Sequence, residues 1–466
     1  MLLTLASRLV QFVLMFISVK VMTTVLPPAE YGKVALITAI TAFFAFFLIN
    51  PVGTFINRQL NTWHSAQVLR AAFCRYASYL LLVSAFALLL IAAADHLEIY
   101  ALGQTLQLSV LVALTLLFAT ANQTLIPSLN ILGQTRPFAW LTIATAVATL
   151  LAAWALTNFL GADAYLWLGG VVLGQTICAA AAWLVFARSK TLGWRTLEQT
   201  KPSTIFNTKQ VLSFCGPVAL SAGFVWLHMH GYRLVLGEYV SLVELGLFAA
   251  GYTLAIQIMA AVELILNTWF QPGFYRACDS NKAEERSAAW STYATSIWFP
   301  SALAAAALFS GAPLFVQYML GDSYQSTAQY VQFGALVEFC RILGGVTGLY
   351  FHQQKQTTGL VLPTAVGAVL AIGLIVYWVP LHGLSFALPA LCAGGVLSFL
   401  LMYGRVLPVH RPTAKAVGML VLVCTLAALV CVFLQAVHTQ FPSAWALAWL
   451  VLWSAVGFVY LIKRFR

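Results

Sequence analysis

The chain alternates long apolar runs with short polar breaks. No Asp, Glu, Lys or Arg occurs in residues 99–135, 287–321, 356–404 or 416–462. A helix needs about 20 mostly apolar residues to cross the ~30 Å hydrocarbon core of a bilayer. The last two runs therefore hold two helices each, broken at Val379-Pro380-Leu381-His382-Gly383 and at Thr439-Gln440-Phe441-Pro442. The same rule predicts about fourteen spans, at 7–26, 33–56, 76–94, 105–126, 137–158, 164–187, 211–231, 242–268, 291–311, 327–350, 358–378, 383–404, 415–436 and 443–462. The runs are continuous rather than alternating at every second residue, which excludes the strands of a transmembrane barrel. The predicted class is an all-α polytopic membrane protein embedded in a lipid bilayer.

Composition agrees. Of 466 residues 61% are hydrophobic and 8% charged, against about 25% charged in soluble domains. The net charge of +11 would ordinarily suggest nucleic acid, but the positions of the charges give another reason for it. With the N-terminus in the cytoplasm, 20 of the 24 Lys and Arg residues fall in inner loops or tails. The outer loops keep Lys33 and Arg233 and are otherwise acidic or neutral, with Glu30, Asp95, Glu98, Asp163, Glu238, Glu244 and Asp322. This is the positive-inside bias of a membrane protein. It puts both termini in the cytoplasm and removes the case for a nucleic-acid partner. The first span lacks a basic start, and Leu26-Pro27-Pro28-Ala29 is a poor cleavage site, so it is not a signal peptide. No cysteine or histidine cluster has metal-ligand spacing, and no P-loop, Gly-x-Ser-x-Gly or His-Glu-x-x-His is present. No metal, cofactor or catalytic group is expected, and the chain does not read as an enzyme.

Two segments repeat. Leu-Pro-Pro-Ala-Glu-Tyr-Gly-Lys-Val-Ala at 26–35 and Val-Ser-Leu-Val-Glu-Leu-Gly-Leu-Phe-Ala at 240–249 both enter a helix after Glu-x-Gly, 214 residues or six spans apart. Each following helix is expected to end with a helix-disturbing pair and an arginine: Asn50-Pro51-Val52-Gly53 up to Arg58, and Gln271-Pro272-Gly273 up to Arg276. An even number of spans gives the two halves one orientation. The predicted organisation is a six-helix lobe at 1–200, a pseudo-symmetric six-helix lobe at 201–406, and two appended helices at 407–466.

These residues resemble a known family. Arg8-x-x-Gln11, Leu26-Pro27-Pro28-x-Glu30-Tyr31-Gly32, and Gly53 followed by Asn57-Arg58 are similar to the start of polysaccharide-type flippases. These form the Wzx-like branch of the multidrug/oligosaccharidyl-lipid/polysaccharide (MOP) exporter superfamily. Tyr232-Arg233-Leu234-Val235-Leu236-Gly237 before Glu244-Leu245-Gly246-Leu247-Phe248-Ala249-Ala250-Gly251-Tyr252 resembles that branch's seventh-to-eighth helix junction. The family often has an acidic residue ahead of the helix-seven arginine, where this chain has His228, His230 and Tyr232.

The resemblance implies a V-shaped, MATE-like pair of lobes. It implies a monomeric carrier in the bacterial inner membrane that moves an undecaprenyl-pyrophosphate-linked oligosaccharide, such as an O-antigen repeat unit, to the periplasmic face by alternating access. The implied partners are that lipid-linked oligosaccharide, a coupling H⁺ or Na⁺, and a polysaccharide polymerase with its chain-length regulator.

A phosphate-bearing headgroup needs fixed positive charge and neutral hydrogen-bonding groups on its path. Arg341 and Glu338 lie three residues apart on one face of a span. They form an internal ion pair or present the arginine to phosphate. Lys20 snorkels outward or serves the cavity. Arg8, Arg58 and Arg233 at span ends are solvated topology signals or the rim of a substrate mouth. Gln11, Asn57, Asn122 and Asn267 suit sugar hydroxyls, or bridge packed helices. Glu263 and Glu338 are the candidates for ion coupling.

Two rivals remain. One is a cation-coupled drug exporter of the same superfamily, although every acid of the first six spans maps to a loop. The other is a membrane polysaccharide polymerase or glycosyltransferase. The loops are short for either enzyme, the longest outer one running from about 312 to 326.

Overall fold

In the computed structural model of the protein, the described residues are 2–96, 105–189, 208–278, 282–354 and 357–406, with Trp449 and Trp453. All regular structure among them is helical. The helices are α1 (Leu2–Val25), α2 (Pro28–Ser65), α3 (Leu69–His96), α4 (Thr105–Ile131), α5 (Thr135–Leu160), α6 (Ala164–Arg188), α7 (208–237), α8 (Leu242–Cys278), α9 (Ala283–Met319), α10 (Ala328–Gln353), α11 (Val361–His382) and α12 (Ala387–Val406). The first twelve predicted spans each fall on one of these. The last two lie outside the described residues, apart from Trp449 and Trp453. Those two indoles donate to Ser310 Oγ of α9 at 3.1 and 3.0 Å.

Several helices run past the predicted ends. The expected stop at Asn50-Pro51 is passed, and α2 continues to Ser65. A proline denies its helix one N–H and crowds the carbonyl four residues back. Here a π-helical turn at Ala45–Ile49 directly precedes Pro51 and takes up the mismatch. Tyr79 Oη on α3 donates to the Leu48 carbonyl within that turn, at 2.7 Å. Pro272 is likewise carried inside α8, which runs to Cys278. The outer loop expected from 312 is shorter, because α9 runs through Pro313 to Met319. The added residues of α2 and α8 include Arg58 and Arg276, whereas those of α9 from 312 up to Met319 are still free of charge.

The exteriors of the helices are as apolar as their contacts. In α5 only 17% of the most hydrophobic window is buried, yet its mean hydropathy is 1.8. Leu82, Trp140, Phe159, Trp269 and Tyr377 are all exposed. Ten helices among the described residues are long and apolar enough to cross a bilayer. The chain is a multi-pass membrane protein, and lipid is the solvent that suits such a surface.

The chain forms two compact units, Met1–Gly246 and Leu247–Arg466. In the first, Phe44, Ile56, Leu60, Leu69, Phe138 and Phe186 centre one core. The Trp226 indole of α7 donates to the Ala39 carbonyl of α2 at 3.0 Å, so α7 belongs to this unit. The Glu-x-Gly repeats meet within it. A Cβ on Gly32 would lie 2.2 Å from the Leu242 carbonyl oxygen, and one on Gly246 would lie 1.7 Å from that of Pro28. Each repeat also fixes its helix start. Glu30 pairs with Lys33 at 2.7 Å and accepts from the Ala164 N–H of α6 at 3.0 Å. Glu244 closes a capping box with Ser241, accepting from its N–H at 2.9 Å and its hydroxyl at 2.8 Å. In the second unit the Trp290 indole of α9 donates to the Val346 carbonyl of α10 at 3.1 Å.

Hydrocarbon supplies no hydrophobic force between helices, so close packing by small residues holds them together. The α5–α6 contact uses Gly170-x-x-x-Gly174, where a Cβ would lie 2.4 Å from Ala153 Cα and 2.5 Å from Thr149 N. Gly169, one residue away, faces open space. In a helix interior Gly→Ala is ordinarily worth about 0.5–1 kcal/mol in favour of alanine. We therefore expect Gly169→Ala to leave or raise Tm in detergent, and Gly170→Ala and Gly174→Ala to lower it. Equal effects at all three positions would show that this contact does not hold the hairpin.

Candidate functional site

The structure brings the sequence-predicted residues together at two places, one in each unit. In the second unit, Arg341 of α10 lies between two carboxylates. Its Nε donates to Glu338 Oε2, one turn earlier on the same helix, and its Nη2 donates to Glu263 Oε2 of α8, both at 2.6 Å. Tyr252 Oη, on α8, donates to the other Glu338 oxygen at 3.1 Å. Tyr252 and Glu263 are eleven residues apart, about three helical turns, so α8 presents both to α10.

Charge-assisted bonds of this length are the strong kind, and a guanidinium is the side chain that serves two carboxylates at once. Two carboxylates and one guanidinium sum to −1 when all are ionised. Arg341 is thus fully compensated, and the cluster has room for one more positive charge. The two acids are not equivalent. The Glu338 side chain is 2% exposed and has both oxygens engaged, whereas that of Glu263 is 24% exposed. Asn267, one turn beyond Glu263, accepts from Tyr293 Oη at 2.7 Å and so bridges α8 to α9.

In the first unit, Gln11 of α1 and Asn122 of α4 line one cavity of about 360 Å³ with residues of α5 and α6. None of the described residues that line it is charged. The Asn122 amide nitrogen donates to Thr145 Oγ1 and to the Gln175 carbonyl, both at 3.2 Å. The hydroxyls of Thr142, Thr145 and Thr149 donate to the Phe138, Leu141 and Thr145 carbonyls of their own helix, each at 2.8 Å. Gln175 Oε1 is buried without a hydrogen-bond partner.

The remaining predicted residues lie elsewhere. Lys20 is half-buried on α1 two residues past Ser18, outside the cavity lining. Asn57 and Arg58 are exposed on α2. Arg233 is buried rather than at an open rim. Its Nε donates to Tyr232 Oη at 3.1 Å and its guanidinium lies 5.7 Å from that ring's centre. Arg8 lies on α1, and its side chain is outside the described residues. Gln175, Tyr252 and the threonines of α5 were not anticipated. Thr142, Thr145 and Thr149 recur at three- and four-residue spacing, which was the available signal for one polar helix face. Among the described residues, no group of three or more His, Cys, Asp or Glu is placed to hold a metal ion.

The family described as "Polysaccharide biosynthesis protein" matches residues 21–329. The chain belongs to this family. A search of curated proteins finds no match. Solved structures share the fold of this polysaccharide biosynthesis protein at low identity. An inward-facing multidrug resistance MATE family transporter of the MOP superfamily is similar with TM-score 0.66 and 16% identity, over 87% of this chain and 96% of that one. The lipid II flippase MurJ in an inward closed conformation has TM-score 0.62 and 10% identity, over 99% and 100%. A MOP superfamily transporter from Pyrococcus furiosus, described as having a binding pocket of reverse polarity, has TM-score 0.54 and 13% identity, over 87% and 92%. The fold is the one expected from the resemblance.

Removing one member of a buried ion pair costs about 3–5 kcal/mol, because the other is left uncompensated. We therefore expect Tm in detergent to fall most for Arg341→Ala, which leaves two facing carboxylates. It should fall less for Glu338→Gln and least for Glu263→Gln, where Arg341 keeps its buried partner. The reverse order would mean that Glu263 is the structural member.

Proposed function

We propose that the protein is a flippase, a non-enzymatic carrier. It moves a polyprenyl-pyrophosphate-linked oligosaccharide, an O-antigen or other surface polysaccharide repeat unit, from the cytoplasmic to the periplasmic face of a bacterial inner membrane. It works by alternating access, as a monomer with both termini in the cytoplasm, and supplies a polymerase with its chain-length regulator. Family membership supports a role in polysaccharide biosynthesis, and the fold shared with a lipid II flippase supports movement of a lipid-linked headgroup.

The observation that carries the reading is Arg341 held in mid-span between a buried and a partly exposed glutamate. Pyrophosphate is anionic and cannot enter hydrocarbon uncompensated. Arg341 can meet it by exchanging Glu263 for a phosphate oxygen while Glu338 holds the guanidinium from behind. An ionised Glu263 beside phosphate would repel it, so the exchange is favoured when Glu263 takes a proton. The guanidinium already fills the space between the carboxylates, which favours H⁺ over Na⁺ as the coupling ion. The drug-export alternative is disfavoured because the described residues lining the cavity of the first unit include no carboxylate to bind a cation.

Cells lacking the protein should accumulate the lipid-linked oligosaccharide with its sugar on the cytoplasmic face. Wild type should rescue this and Arg341→Ala should not. Normal levels outside, with increased drug sensitivity, would transfer the protein to the exporters. Because the proton and the phosphate favour each other, the purified protein should bind farnesyl pyrophosphate more tightly as pH falls. Glu263→Gln, permanently neutral there, should lose that dependence. An unchanged pH profile in Glu263→Gln would remove Glu263 from the coupling role.

A further inference from the structure

The cavity of the first unit has a chemistry that the charged cluster lacks. Its hydrogen-bonding walls are amides and hydroxyls: Gln11, Ser18, Asn122, Gln123, Thr149 and Gln175. Its volume of about 360 Å³ is at the lower end of the ~300–1,000 Å³ of small-molecule pockets. Many donors there are already committed. A threonine hydroxyl has one proton and two lone pairs, and Thr142, Thr145 and Thr149 give that proton to backbone carbonyls. Asn122 gives both amide hydrogens away inside the wall. These groups are left with acceptor oxygens, and Gln175 Oε1 is an acceptor that nothing in the protein satisfies.

A buried acceptor without a donor is costly, and native proteins leave few of them. With no cation among the described lining residues, the wall does not suit phosphate. With no carboxylate among them it does not suit an ammonium compound either. Amides and hydroxyls suit an uncharged ligand that carries several hydroxyls close together.

We propose that this cavity is a subsite for one uncharged sugar ring of the headgroup, its hydroxyls exchanging hydrogen bonds with the amides and hydroxyls of the wall, Gln175 and Thr149 among them. The proposal rests on the reading of the chain as a carrier of lipid-linked sugars and adds where the sugar is recognised. The α5–α6 glycine contact positions the wall, since Thr149 and Gln175 lie beside the residues that meet at Gly174.

The test measures binding to the purified full-length protein of farnesyl pyrophosphate, and of the same lipid bearing one glucose, galactose, N-acetylglucosamine or rhamnose. At least one sugar should tighten binding about tenfold in wild type. Gln175→Leu should cut that gain to threefold or less, keep the affinity for sugar-free lipid within twofold, and leave Tm unchanged or raised, because it deletes an orphaned acceptor. Thr149→Val should reduce the gain in the same direction.

If the sugar-free lipid binds and no sugar improves on it, the subsite is overturned while the carrier reading stands. If none of the lipids binds, the carrier reading itself fails, and the subsite with it. A lowered Tm with the sugar gain intact would make Gln175 a packing residue and overturn the proposal. Tight binding of ethidium that Gln175→Leu abolishes would assign the cavity to cations and overturn it as well.

Discussion

A guanidinium in the middle of a membrane span must be compensated where it stands, and much of the second unit's polar architecture follows from that requirement. Insertion of a central arginine costs about 2.5–3.5 kcal/mol even when it can relax toward water. Here α10 supplies Glu338 one turn before Arg341, and α8 supplies Glu263 against the free edge of the guanidinium. Tyr252 takes up the remaining Glu338 oxygen. Two helices are thereby fixed in register by polar contacts that have no substitute in hydrocarbon. Of the two acids, only the more exposed Glu263 can change partners without uncovering a buried charge.

The first unit meets the same constraint by a different route. Its membrane interior carries neutral polar side chains around the cavity, with backbone carbonyls of α5 absorbing the threonine protons. A lipid-linked saccharide has a charged part and an uncharged part, and the two polar sites divide along the same line. On the proposed reading Arg341 meets the phosphate and the amide–hydroxyl cavity meets a sugar.

The helices were legible because lipid imposes a crude rule: charge is absent wherever hydrocarbon surrounds the chain. The same rule hid their true ends, since α2 and α8 continue past charged residues, Arg58 and Arg276. The π-helical turn that lets α2 pass Pro51 has no sequence signature that hydropathy detects. Glu338 and Arg341 were readable as a pair from their spacing. That Glu263 completes the cluster needed a tertiary contact across 78 residues. Polarity alone marks Gln11 and Asn122 in the sequence, and the structure places both in the lining of one cavity. Gln175 carries no mark in the sequence, because what sets it apart is an unfilled bond, and this depends on neighbours rather than on residue type. The position of Arg233 in the sequence points to a rim, and its burial against Tyr232 depends on how the helix end packs.

A carrier must release what it binds, and on the proposed reading the geometry of the cluster would serve release. A bare arginine in a low-dielectric site would hold pyrophosphate with the full strength of a desolvated ion pair. Arg341 is already engaged twice, so an arriving phosphate gains only the difference between its own bond and the one it displaces. That difference is small, and it can change sign with the charge on Glu263. Weak, reversible hydrogen bonds of about 1 kcal/mol each in a neutral cavity have the same property. On this view the second carboxylate, redundant for neutralising Arg341, keeps the affinity low enough for the headgroup to leave on the far side of the membrane.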